Sequence, residues 1–154
     1  MRVFRIAYKA YTQDLTPSKA NGRWAAAGKA VVYAAGSVAL AVLENLVRRK
    51  GEGFNDDYNI MVIDLPPSLK VQTITADQLP AGWNDILDYS KCQPLGNRWY
   101  DEGKYPVLKV PSAIVPREFN YVFNTNHPDF NKVKLVEVTG FIPDPRIEEL
   151  LKSG

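Results

Sequence analysis

The stretch Ala30-Val31-Val32-Tyr33-Ala34-Ala35-Gly36-Ser37, running on through Val38-Ala39-Leu40-Ala41-Val42-Leu43-Glu44-Asn45-Leu46-Val47-Arg48-Arg49-Lys50-Gly51, decides the fold class. Its first part is short, rich in β-branched residues and bounded by Gly28 and Gly36, as a strand should be. Ser37 is an N-cap type, Arg48-Arg49-Lys50 fall in a last turn, and Gly51 stands at C′, which predicts a helix over 37–50. At 100° per residue Val38, Ala39, Val42, Leu43, Leu46 and Val47 share one broad arc, so this helix packs on a core. A strand that runs through a tight turn into an amphipathic helix is the seed of a mixed fold.

Working outward, residues 3–8 alternate apolar with polar or small residues and read as a first strand, followed by a polar, turn-rich stretch over 12–22. Strands are expected over 58–65 and 70–75, joined by the rigid turn Pro66-Pro67-Ser68, and again over 106–110, 120–123 and 133–141. Short helices are expected over 83–89 and around 96–102, and Asp144-Pro145 opens a terminal helix with proline at N1. About seven strands with a few interspersed helices give an α+β domain covering residues 1–154. The strands are not separated regularly by helices, and no GxGxxG or GxxxxGK[ST] occurs, which argues against a doubly wound nucleotide fold.

The chain has 154 residues, 45% hydrophobic and 23% charged, in the ordinary range for one globular domain. The longest apolar-rich stretch, 25–47, carries Lys29 and Glu44 and is not a membrane span, and the N-terminus turns polar by Lys9, too early for a secretion signal. The expected location is therefore the cytoplasm. One cysteine, Cys92, and one histidine, His127, leave no cysteine-based zinc site and no histidine pair, so no metal is expected. Net charge is +2, but residues 1–54 hold nine Lys/Arg against three Asp/Glu, and residues 55–154 hold ten against fourteen. An N-terminal excess of positive charge suits a phosphate-bearing ligand; the basic residues form no stripe, which argues against direct DNA binding.

Chemistry must then come from carboxylates, arginines, hydroxyls and aromatics. Glu44 lies at the edge of the helix's apolar arc, where a carboxylate can line a cleft; the competing reading is an i,i+4 ion pair with Arg48. Arg23-Trp24 follows a glycine between the polar loop and the second strand, where a guanidinium can hold a phosphate with the neighbouring ring as a shield, or simply stack on that ring. Arg5 sits inside the first strand and needs a partner if its face is buried. Tyr33 is either a cleft aromatic or a core one. Ser112, between Pro111 and Pro116, offers its hydroxyl to a ligand or to a turn. His127 lies in a turn sequence and no G-x-S-x-G surrounds Ser112, which argues against a serine triad and for His127 as a loop residue; Cys92 reads as structural.

Arg23-Trp24, Tyr33, Ser37, Glu44 and Leu108-Lys109-Val110-Pro111-Ser112, in that order and spacing, resemble the RES-domain family. The family is named for an arginine, a glutamate and a serine, matched here by Arg23, Glu44 and Ser112. The resemblance continues through Asn120-Tyr121-Val122-Phe123-Asn124, His127-Pro128-Asp129-Phe130 and Phe141-Ile142-Pro143-Asp144-Pro145-Arg146, and so covers nearly the whole chain. Relatives often carry Asn-Pro before the histidine segment, where this chain reads Asn124-Thr125-Asn126-His127.

The resemblance implies a bacterial toxin that consumes NAD as substrate, with no further cofactor. It implies a fold similar to ADP-ribosyltransferase toxins, with two small, mostly antiparallel sheets pinching an NAD cleft. The implied partner is an Xre-type antitoxin that blocks the cleft, and the implied assembly is a homodimer. Arg23, Glu44 and Ser112 would be catalytic, and Arg5, Arg23, Trp24, Tyr33, Ser37, Ser112 and Asn124 would bind NAD. Water, inorganic phosphate or a protein side chain can each accept the ADP-ribosyl group. A binding module that has lost its chemistry is the reading outside the enzyme class.

Overall fold

The computed structural model describes residues 1–48 and 55–153. Seven strands and three α-helices are found among them: β1 (Arg2–Tyr8), β2 (Val31–Ala35), α1 (Val38–Arg48), β3 (Tyr58–Asp64), β4 (Val71–Thr73), α2 (Gln93–Glu102), β5 (Val107–Pro111), β6 (Phe119–Asn124), β7 (Lys134–Gly140) and α3 (Pro145–Ser153). The α+β class and the strand positions agree with the sequence. Ser37 caps α1 as expected, its hydroxyl accepting from the Leu40 amide at 3.1 Å. The expected C′ glycine, Gly51, lies outside the described residues, as do Arg49 and Lys50.

Residues 83–89 are not helical. They form successive turns, with Gly82 at φ +81° and the Asp85 carboxylate accepting from the amides of Leu87 and Asp88 at 2.9 and 3.1 Å. A side chain that bonds its own backbone two and three residues on offers these amides an alternative to helix hydrogen bonds. The next helix starts earlier than expected, at Gln93, with Pro94 in its first turn.

The strands form one sheet in the order β4-β5-β6-β2-β1-β3-β7, where two small sheets were expected. The sheet is nevertheless almost divided. Antiparallel β1 and β2 are in register at Phe4–Ala35 alone, whereas β1 pairs with β3 along its whole length, from Arg2–Asp64 to Tyr8–Tyr58. On the far side β2 pairs fully with β6, from Val31–Asn124 to Ala35–Asn120. The expectation of two sheets thus fails on one remaining link, and the two halves part beyond it.

Residues paired across strands share a face, so each half carries its own layer. On one face Val31, Leu108, Val110 and Val122 pack under Trp24, Trp83 and Trp99, while Ile6 and Ala35 pack under Leu40 and Ala41 of α1. Val3, Val32, Ala34, Ile63 and Phe123 fill the opposite face. The first face is therefore covered by two separate lids, the tryptophan layer and α1, and the parting of β1 from β2 lies between them. None of the described helices is long and apolar enough to cross a membrane.

Candidate active site

The parting opens a cleft that faces solvent. Its polar lining is Arg5 from β1, Tyr33 from β2, Asn120 from β6, and Glu44, Asn45 and Arg48 from α1. The helix presents residues 41, 44, 45 and 48 to it, the i, i+3, i+4, i+7 spacing of one helical stripe. Glu44 is thereby carried to the edge of the apolar arc and into the cleft, as the sequence suggested.

The Glu44 carboxylate is held by neutral donors. Its Oε1 accepts from the Ser112 hydroxyl at 2.9 Å and from the Asn120 side-chain amide at 2.7 Å. The alternative, an ion pair with Arg48, is not formed. Ser112 is fully buried, and its oxygen also accepts from the amides of Ile114 and Val115, both at 3.1 Å. Its hydroxyl therefore turns a loop and fixes Glu44, and has no capacity left to meet a ligand. Ser37 is tied to the same loop, donating to Glu118 at 2.9 Å, while the Ser112 amide donates to the Glu118 carbonyl. Helix α1 is thus fastened to the β5–β6 connection at its cap and again at Glu44.

Arg5 reaches across the parted strands and donates to the Tyr33 carbonyl at 2.8 Å, a bond the missing β1–β2 ladder leaves open. Burial, and then repulsion from Arg48, lower its pKa to about 10, so it stays charged at neutral pH. No carboxylate neutralises it among the described residues. Burial pushes the Tyr33 phenol up to about 12. Its hydroxyl is buried without a partner among the described residues, as are Asn45 Oδ1 and Asn120 Oδ1, and all three residues line this cleft. Two cations, one carboxylate and stranded polar atoms in one crevice are suited to an anionic ligand that also carries hydroxyl groups.

The other expected residues lie elsewhere. The Arg23 guanidinium donates to the carbonyls of Trp83 and Asp85, both at 2.7 Å, and stands 4.9 Å from the Tyr89 ring centre. It clamps the 83–89 turns and does not line the cleft. Trp24 is a core residue, 4% exposed, and shields no site. Asn124 is buried at the end of β6, accepting from the Asn126 amide at 2.9 Å with its own amide 3.4 Å from the Tyr100 carbonyl, away from the cleft. His127 Nδ1 accepts from the Asp129 amide, a capping role consistent with a loop residue. The buried Cys92 thiol donates to the Trp83 carbonyl, and burial raises its pKa, as expected of a structural cysteine.

Asn45, Arg48 and Asn120 were missed by sequence reasoning. Arg48 was read as a last-turn cation, which it also is. For Asn120 a signal existed: a polar residue on the strand parity of Val122, a face otherwise buried.

A model of the RES domain family matches residues 1–146. A protein named Toxin Res from Pseudomonas putida is 37% identical over 152 residues, covering 96% of this chain and 99% of that protein. A protein named Prs ADP-ribosylating toxin from a Sphingobium species is 34% identical over 152 residues, covering 94% of each. Among solved structures, the MbcT–MbcA toxin–antitoxin complex of M. tuberculosis contains a chain that superposes with a TM-score of 0.73 at 17% identity, over 99% of this chain and 89% of that one. At that identity the likeness is one of fold.

Proposed function

As the chain belongs to the RES domain family, we propose that it is the toxin of a toxin–antitoxin pair and consumes NAD by breaking the nicotinamide–ribose bond. The observation that carries this reading is the cleft at the β1–β2 parting, where Glu44, held by two neutral donors, shares a crevice with Arg5 and Arg48. The relatives named as toxins agree with it.

NAD carries a pyrophosphate dianion and a cationic nicotinamide. When the glycosidic bond breaks, its electron pair leaves on the nicotinamide nitrogen, the ring becomes neutral, and positive charge passes to the ribose. The leaving group needs no proton, so neither a histidine nor a metal is required. The reaction needs orientation and a negative charge beside the developing oxocarbenium ion. Glu44 supplies that charge and accepts from a ribose hydroxyl, as carboxylates do in glycosidases. Arg5 and Arg48 hold the pyrophosphate, and Tyr33 orients the nicotinamide ring. Arg23 acts at one remove by clamping the turns that carry Tyr89. A water oxygen that closes on the ribose carbon releases a proton to solvent and yields ADP-ribose, whereas inorganic phosphate closes through an unprotonated oxygen and yields the 1″-phosphate.

Transfer to a protein is the second reading, favoured by the relative named as an ADP-ribosylating toxin. The partner on either reading is an antitoxin of the Xre type that closes the cleft, and the toxin itself is a homodimer acting in the cytoplasm.

Mass spectrometry of NAD incubated with the purified chain, with and without phosphate and beside Glu44→Gln, tests the proposal. Nicotinamide with ADP-ribose identifies hydrolysis, and ADP-ribose-1″-phosphate formed only with phosphate identifies phosphorolysis. Intact NAD, with label appearing on protein when a lysate is added, selects the second reading. Intact NAD with no labelled protein rejects both.

A further inference from the structure

We propose that Asn120 is a positioning residue for Glu44: its side-chain amide and the Ser112 hydroxyl together grip carboxylate Oε1, so that Oε2 alone is presented to the ligand. The proposal rests on the NAD reading for what Glu44 does in catalysis, and on geometry alone for the grip.

Both donors converge on one oxygen, at 2.7 Å from Asn120 and 2.9 Å from Ser112. Oε2 receives no donor among the described residues. The amide has one usable orientation, because a carboxylate accepts only and the nitrogen must face it. That orientation leaves Asn120 Oδ1 buried and without a partner among the described residues. A buried carbonyl stranded in this way costs stability, and an apolar residue would suit the strand better. The bond Asn120 does make is the one to Glu44, which assigns it to the site and not to the sheet.

The grip is also rigid. Asn120 is locked into β6 opposite Ala35 on one side and Val110 on the other. Ser112 is held by the loop amides it caps. A carboxylate free to turn about its last bond exchanges its two oxygens. Two donors on Oε1 stop that rotation and fix where the charge stands relative to the ribose. Loss of one donor therefore lowers kcat with little change in KM, since binding rests on the arginines.

A charge-swap cycle tests the contact without any reference to NAD. In Asn120→Asp two carboxylates compete at hydrogen-bond distance and must share one proton. Its melting temperature should fall further below the parent's at pH 8 than at pH 5. Combining Asn120→Asp with Glu44→Gln leaves a single carboxylate at the contact, so the difference between pH 8 and pH 5 should vanish, while NAD cleavage stays at the level of Glu44→Gln. Asn120→Ala, which adds no charge, should lower kcat about tenfold with KM within twofold of the parent. A pH-independent loss in Asn120→Asp, or a pH dependence that survives in the double variant, overturns the contact. Parental kcat in folded Asn120→Ala overturns the positioning role. If the parent leaves NAD intact the NAD reading falls, and the stability cycle then decides the grip by itself.

Discussion

Arg5 and Arg23 both donate to main-chain carbonyls, and they have opposite surroundings. Arg23 spends its guanidinium on two backbone carbonyls and an aromatic ring, all supplied by the 83–89 turns. Arg5 makes one bond across the parted sheet, is desolvated, and faces the repulsion of Arg48. The contrast extends to their neighbourhoods. Around Arg23 lies the tryptophan core, packed so closely that α2 crosses the Trp24 backbone at Gly96. Three of the four buried polar atoms that have no partner among the described residues belong to residues that line the cleft with Arg5. The fourth, Trp99 Nε1, sits inside the tryptophan core, and nothing in the structure explains it. Satisfied charge builds the molecule, and unsatisfied charge marks where a ligand would complete it.

The largest effect should come from the built side. A Cβ at Gly96 would stand 1.7 Å from the Trp24 carbonyl oxygen, which is backbone and cannot step aside. Gly96→Ala should cost about 3 kcal/mol or more and leave little folded protein at 37 °C, read by thermal unfolding. Stability near the parent's would mean that α2 does not lie on Trp24. On the unsatisfied side, Glu44→Gln keeps an acceptor for Ser112 and Asn120. It should leave melting within a degree or two of the parent while NAD cleavage falls about 100-fold, the scale of losing one transition-state charge contact.

Arg23→Ala tests the contrast directly. Loss of two charge-assisted hydrogen bonds to carbonyls should cost about 1–2 kcal/mol, less than in a fully buried setting because the Asp85 contact is exposed. Proteolysis should then open the 83–89 turns first. An unchanged melting temperature with a raised KM for NAD would move Arg23 into the cleft and dissolve the distinction drawn here.

Much of this was legible in the sequence because local rules and tertiary packing agreed. The β2–α1 stretch carried its own boundaries, its cap and its apolar arc. Residues 83–89 misled for a definite reason: Trp83, Ile86 and Leu87 fall at i, i+3 and i+4 and imitate a helix face. In the fold Trp83 is buried, while Ile86 and Leu87 are 82% and 90% exposed, because the Asp85 side chain captures the amides a helix would use. At the site, Glu44 and Ser112 were legible as residues and only their direct bond was not. The sequence offers Arg23 as the arginine that holds a ligand and Arg5 only as one in need of a partner, whereas it is Arg5 that lines the cleft. Which of them faces the cleft depends on where β1 leaves β2, a long-range event that no local pattern encodes.

The smallest effect concerns Tyr33, whose hydroxyl is stranded beneath Gly22. Tyr33→Phe removes an unsatisfied buried group and should stabilise the unliganded chain by about 0.5–1 kcal/mol. The gain should grow in alkali. The folded protein holds the phenol proton to about pH 12, whereas the unfolded chain releases it near 10, so the stability Tyr33 contributes is present below pH 10 and fades as pH rises towards 12. Arg5 works in the opposite sense, since its folded pKa lies below its unfolded one and its contribution improves above pH 10. Both variants share Arg5, so the difference between Tyr33→Phe and the parent isolates the phenol, and chemical denaturation at pH 8 and pH 11 reads it. A difference that stays flat across that interval would mean the phenol ionises as easily in the folded chain as in the unfolded one, so that its hydroxyl is not buried, and the cleft would lose one of the three atoms that set it apart from the core around Arg23.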